Sequence, residues 1–258
     1  MNAWRLYGIA FQTIVTKEVL RFTRIWMQTL LPPAITTTLY FIIFGKLIGE
    51  RIGEMGGYSY IDFIVPGLIL MSVIQNSYAN VVSSFFSTKL QHYIEELLIA
   101  PVPNWVILSG YVVGGVARGT LVGILVTIIS LFFTDLQINS YAVTLLVFVL
   151  TSILFALAGF INAVYATTFD DISIVPTFVL TPLTYLGGVF YSISLLPTFW
   201  QSVSLGNPVL YMINAFRFGI LGVSDIDIAV ALTIILVFIV GLTVFSLVLL
   251  ARGVGIKN

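Results

Sequence analysis

Cysteine is missing from all 258 residues, and histidine occurs once, as His92. The first absence removes disulfides, thiol nucleophiles and thiolate metal sites together. The second leaves no multi-histidine metal site. Charge is scarce too: Asp, Glu, Lys and Arg make up 9% of the chain, against roughly 25% in a soluble globular domain. Basic and acidic residues number 11 each, for a formal net charge of zero. Beyond residue 28 there is no cluster of Arg and Lys with interleaved aromatics, so nothing points to nucleic acid.

Apolar residues fill the chain instead: 59% are hydrophobic, and the mean hydropathy is +1.08. This is the composition of an all-α integral membrane protein. A bilayer core about 30 Å thick takes about 20 apolar residues per helix. The chain therefore holds several spans and short connections in a single transmembrane domain, 1–258, with no separate soluble domain. The first apolar run is of full spanning length, lacks an A-x-A-like exit and is followed by further spans, so the N-terminus reads as retained rather than as a cleaved signal peptide.

Hydropathy and helical spacing place six transmembrane helices at about 29–48, 61–84, 105–133, 141–166, 172–190 and 228–250. Ahead of them, 1–28 reads as a helix lying in the membrane surface. Thr13, Lys17, Arg21, Arg24 and Gln28 share one face, which is expected to meet headgroups, and Val15, Val19, Phe22 and Trp26 share the other. Arg5, Lys17, Arg21, Arg24, Lys89, Arg252 and Lys257 fall on one side of the membrane and Lys46, Arg51 and Arg217 on the other, which predicts cytoplasmic termini.

Pro32 and Pro33 are expected to open the first span, where a missing amide donor costs least. The second span carries Ser72, Asn76, Asn80 and Ser84 at i, i+4 steps, a polar stripe that must meet protein, water or substrate. Helix packing and the lining of a path are both open readings. In the third span, Arg118 sits among Gly114, Gly115, Gly119 and Gly123. These glycines permit close helix approach, while the guanidinium calls for a partner inside the bundle or a route to the surface. Asp170 and Asp171 stand before the fifth span, where they suit the helix dipole or a docking contact. That span contains Pro176, Pro182, Gly187 and Gly188 and is expected to be kinked or broken. The segment 191–227, with Phe199, Trp200, Asn207, Pro208, Tyr211 and Arg217, is too apolar for a solvated loop. Its two pieces are each too short to span, and read as external re-entrant helices.

Between the second and third spans lies the longest polar, amphipathic interruption, FSTKLQHYIEELLIAPVPN (86–104). On a helical wheel Leu90, Tyr93, Ile94, Leu97 and Leu98 cluster on one side, while Lys89, His92 and Glu96 align at i, i+3 and i+7 on the other. Pro101 and Pro103 end the helix. The apolar side is expected to rest on the ends of the spans, and the polar side to take mechanical input from a separate protein.

Enzyme constellations are missing. Gly45 and Lys46 are followed by Leu47 and lack the upstream glycine of a phosphate loop, and no G-x-S-x-G or H-E-x-x-H pattern occurs. Glu95 with Glu96, and Asp170 with Asp171, are adjacent in sequence and point to different faces, which does not suit acid and base acting on one bond. Carboxylates within the bilayer, which proton or sodium coupling uses, are almost absent, with Asp62 at a margin. Energy for transport must therefore come from elsewhere, or the chain is a passive channel, a scaffold or an assembly factor.

The runs YIEELLIAPVP (93–103), FDDISIVPTFVLTPLTYLGGVFYSISLLP (169–197) and NPVLYMINAFR (207–217) resemble, in this order, the permease subunits of ABC-2 type transporters. The resemblance extends over essentially the whole chain. It implies a half-transporter of six spans in the bacterial inner membrane that forms a homodimer and binds two copies of a separate ABC ATPase. ATP and Mg would act on that partner, with no cofactor on this chain, and export is the usual direction. It further implies that 86–104 is a coupling segment, with Lys89, His92, Glu95, Glu96, Asp170 and Asp171 as candidate contacts to the ATPase. Ser72, Asn76, Asn80, Ser84 and Arg118 become candidates for the path or the dimer interface. The sequence departs from polysaccharide-exporting relatives in showing no extra carbohydrate-binding domain, so the resemblance does not imply a sugar substrate. Lipids, hydrophobic drugs, peptides and glycans all suit the aromatic, mostly uncharged interior.

Overall fold

A computed structural model describes residues 3–255, apart from the side chains at 46 and 98. The expectations for Lys257, for the side chain of Lys46 and for Leu98 lie outside the described residues. Helix α1 (Ala3–Arg24) gives way at Ile25, where φ −106 and ψ 39 leave the helical region, to α2 (Trp26–Tyr40). The hydroxyl of Thr29 stitches this junction by donating to Phe22 O at 3.1 Å and Ile25 O at 3.2 Å. A π-helical stretch, Phe41–Ile48, and a last turn, α3 (Gly49–Ile52), complete the first membrane-length helix, Trp26–Ile52. Pro32 and Pro33 lie inside α2 rather than at its mouth, because the helix starts earlier than hydropathy suggests. They stand beyond the turn whose amides lack intrahelical partners, so two helical hydrogen bonds are lost there.

A two-residue turn, Gly56 and Gly57, both at positive φ, closes a small hairpin of β1 (Glu54–Met55) and β2 (Tyr58–Ser59). It leads into α4 (Tyr60–Leu90), capped by Ser59, whose Oγ accepts from Asp62 N. At 31 residues, α4 is about 46 Å long. It is the axis of the bundle and the most deeply buried long helix, packed by α6 (Asn104–Ser130) and α7 (Tyr141–Tyr165). Glycine makes these approaches possible. A Cβ on Gly159 of α7 would lie 2.5 Å from Tyr78 O of α4, and one on Gly115 of α6 would lie 2.7 Å from Val81 and 2.9 Å from Ala156. Short α5 (Tyr93–Ile99) sits between α4 and α6 in the chain.

Among the described residues, five helices are long and apolar enough to cross a membrane. The stretch expected as the fifth of six spans is a shorter, broken one, α8 (Asp171–Val175), a π-helical segment Pro176–Leu180, and α9 (Thr181–Leu186). It ends at Gly187 and Gly188, the latter at φ 77, short of the expected residue 190. A 3-10 turn, Ile193–Leu195, then precedes α10 (Thr198–Leu205) and α11 (Pro208–Leu221), the two short pieces read as re-entrant. The last helix is α12 (Ile228–Arg252). α11 is almost wholly buried among α4, α7 and α12, whereas α10 leaves Phe199 and Trp200 exposed.

The bundle thus has two ends. Ala3, α5, the turn 166–170 and Gly255 share the near end; the hairpin, α3, the loop after α6 and the segment 187–206 share the far end.

Candidate functional site

At the near end, α4 stops at Leu90 and His92 adopts a left-handed conformation, φ 60, before α5 begins. This break sets Lys89 apart from His92 and Glu96, so the expected i, i+3, i+7 alignment does not form. The Lys89 ammonium turns inward instead, donating to Val164 O and Ala166 O at 2.7 Å each, where a cation suits the C-terminal carbonyls of α7. His92, Glu95 and Glu96 are exposed, with His92 Nδ1 3.3 Å from Glu95 Oε1. Of the expected apolar face, Ile94 is buried and Leu97 half-buried, while Leu90 and Tyr93 are exposed. Asp170 is exposed, and Asp171 is held within its own turn, accepting from Thr167 N, Thr167 Oγ1 and Thr168 N at 2.8 Å. An edge contact between Phe86 and Phe169, centroids 5.0 Å apart, draws this turn toward the end of α4. A groove of about 260 Å³ between them is lined by Phe86, Lys89, His92, Glu95 and Thr167.

The polar stripe of α4 divides in two. Its near half, Asn80 and Ser84, meets a carboxylate that sequence reasoning overlooked. Glu18 of α1 is fully buried, accepting from Ser84 Oγ and, at 3.3 Å, from Asn80 Nδ2, and it lies 3.6 Å from Arg21 Nη2. Arg21 in turn donates to Asn80 O and Oδ1 at 2.8 Å and to Ser83 Oγ at 3.3 Å, and Lys17 donates to Thr88 Oγ1 at 3.3 Å. The basic face of α1, expected to meet headgroups, therefore points in part at α4. A cue was present in the sequence: Ile14, Glu18 and Phe22 recur at i, i+4, i+8, and these three are the buried face. Gly110 and Gly114 of α6 admit that face, since a Cβ on either would lie 2.6 Å from Ile14 or Glu18.

The far half of the stripe, Ser72 and Asn76, bonds back onto its own helix, to Leu68 O and Ser72 O at 3.0 Å. It faces a half-open groove of about 290 Å³ between α2 and α4, shared with Gln28, Thr36, Gln75 and Arg118. Arg118 finds no partner there. Its Nε is sealed from solvent without a hydrogen bond, and the guanidinium makes no ion pair among the described residues.

At the far end, Asn207 and Pro208 start α11: the Asn207 side chain accepts from Val209 N at 2.9 Å and donates to Leu183 O at 2.6 Å. The latter carbonyl is freed because Gly187 N bonds to Thr184 O instead. Arg217 donates to Gly188 O at 2.5 Å and lies 3.9 Å over the Phe63 ring, fully buried. Tyr211 donates to Leu205 O at 2.7 Å. Neighbouring side chains thus satisfy the carbonyls that the broken helix leaves open, as the bilayer requires. Asn207 and Arg217 are framework residues that hold α9 and α11 together.

A family model described as ABC-2 type transporter matches residues 9–221. The chain belongs to the ABC-2 type transporter family. It is 60% identical over 253 residues to the inner membrane transport permease YadH of Escherichia coli (strain K12), covering 98% of this chain and 99% of that one. The YadH of Shigella flexneri matches equally. A more distant relative, nodulation protein J of Rhizobium leguminosarum bv. viciae, is 21% identical over 95% of both chains. The ABC-2 permease described here is accordingly a multi-pass inner-membrane transport protein, and its family in general works with an ABC ATPase.

Proposed function

We propose that the chain is the transmembrane subunit of an ATP-driven exporter, acting as a homodimer whose two copies enclose the path and bind two separate ATPase subunits. ATP and Mg act on those partners. Both termini and α5 face the cytoplasm, as the distribution of basic residues supports. ATP binding closes the ATPase pair, α5 moves with it, and the permease passes between inward-open and outward-open states; this requires ATP to favour one state over the other. The substrate is hydrophobic or amphipathic, a lipid, a drug or a glycan.

The observation that carries this reading is the exposed polar surface at α5: Ile94 anchors the helix at 1% exposure, while Glu96 and the His92–Glu95 pair are exposed, as is Asp170 in the turn after α7. That is the surface a groove on a second protein would grip. Affinity purification of the detergent-solubilised permease should bring down an ABC ATPase, and co-reconstitution should give ATP hydrolysis that depends on the permease. Glu96→Lys should uncouple hydrolysis from export while leaving the permease inserted. If no nucleotide-binding subunit copurifies and reconstitution with a candidate ATPase yields no permease-dependent activity, the chain is an ATP-independent scaffold, an assembly factor or a passive channel.

A further inference from the structure

Arg118 stands 14 residues after Asn104 and 12 before Ser130, the bounds of α6. At 1.5 Å per residue it is about 20 Å from either end of that helix, near the middle of a core about 30 Å thick. A cation at this depth is stabilised by a counter-charge, by carbonyls or by water, yet among the described residues the guanidinium has no acidic partner, and the charged neighbour acting on it is another cation, Arg21.

The sequence excludes a supply of that counter-charge from within. Of the 11 acidic residues, Glu18 is already occupied by Ser84, Asn80 and Arg21. The other ten lie at the two ends of the bundle, from Glu50 to Asp62 and in the loops at Asp135, Asp225 and Asp227 at the far end, and at Glu95, Glu96, Asp170 and Asp171 at the near end. A symmetrical second copy brings the same residues at the same depths, so dimerisation supplies no free carboxylate at the level of Arg118.

The groove in front of Arg118 fits an incoming group. Its volume of about 290 Å³ suits a headgroup, and Gln28, Thr36, Gln75 and Asn76 give it a polar lining. The next ridge of α2, Leu31, Ile35 and Leu39, is exposed and apolar, a surface along which a hydrocarbon chain can lie.

We propose that Arg118 is the anion-recognition point of the transport path, and that the substrate class is an anionic amphiphile whose phosphate or carboxylate seats on this guanidinium with its apolar part along α2. This rests on the transport function proposed above.

The test uses the full-length permease in neutral detergent, with a fluorescent-tailed phosphatidic acid as probe, the matching diacylglycerol as control and inorganic phosphate as competitor. Phosphatidic acid should bind, and Arg118→Gln should weaken it about 10- to 100-fold, the worth of charge-assisted hydrogen bonds to an anion. Arg118→Lys should fall between, and diacylglycerol binding should not respond to either change. Displacement of the probe by inorganic phosphate supports a site that takes the free anion; resistance to displacement supports one that needs the lipid. Heat stability of the Gln variant should equal that of the parent, because removing an unpaired cation strands no partner. Unchanged phosphatidic acid affinity in Arg118→Gln would overturn the proposal, as would dissociation of a dimer with binding retained, which would make the arginine an inter-subunit contact. Binding is read without an ATPase, so failure to recruit one removes the ATP-driven path and leaves only an anion site at Arg118, whereas loss of the Arg118 dependence with recruitment intact removes the anion site and leaves the transport reading.

Discussion

Glu18→Ala isolates the contact that fastens α1 to the centre of the bundle. The substitution deletes the acceptor of Ser84 Oγ and Asn80 Nδ2, on residues 2% and 0% exposed. A buried donor left without a partner costs about 1–3 kcal/mol. Ser84 can recover part of this by turning to a carbonyl of its own helix, as Ser72 and Ser83 already do, which puts its share at the low end. Arg21 keeps both oxygens of Asn80 at 2.8 Å, so its charge is not stranded, and its 3.6 Å pairing with Glu18 adds little at a site that is 27% exposed. The expected loss is about 3 kcal/mol for alanine and about 1 kcal/mol for glutamine, which retains an acceptor oxygen. Chemical denaturation in mixed micelles, followed by tryptophan fluorescence, measures both. If Glu18→Ala unfolds with the parent midpoint, the carboxylate does not hold α1 to α4. If Gln and Ala are equally damaging, charge rather than hydrogen-bond satisfaction is the source.

Two further substitutions test the packing around the site. Gly159→Ala puts a Cβ 2.5 Å from Tyr78 O, a backbone atom that cannot step aside without moving α4, and should destabilise by about 2 kcal/mol in the same assay. Lys89→Met removes two 2.7 Å bonds to the carbonyls of Val164 and Ala166 at the end of α7, on a part-buried side chain. It should cost about 1–2 kcal/mol. A pull-down on immobilised ATPase should then show unchanged recruitment; a selective loss of recruitment at full stability would return Lys89 to the docking surface.

Much of the architecture is carried by local signals. Apolar runs of spanning length and the proline and glycine pairs at 176–188 depend on neighbours in sequence: among the described residues five of the six expected spans are long enough to cross a membrane, the fifth in order is shorter and broken, and the pieces around Trp200 and Tyr211 are short helices. Boundaries were less legible. The first span begins at Trp26 rather than at 29, and Thr29 bonds back across the Ile25 junction, a detail invisible to hydropathy. The coupling helix begins after Lys89 because a single left-handed residue, His92, breaks the wheel on which the two were aligned.

The candidate site shows the same division more sharply. Residue types and spacing alone determined that a polar stripe runs along the second span, that an arginine lies among glycines in the third, and that too few carboxylates exist to neutralise it. Which side of α1 turns inward was decided only by tertiary packing. Residues 62 to 66 positions apart, Glu18 with Asn80 and Ser84, meet because Gly114 lets α1 come close to α6. Burying a carboxylate is favourable only where several donors converge on it, and those donors come from another helix. For the same reason the structure, not the sequence, divided the stripe into a half consumed by packing and a half left facing Arg118.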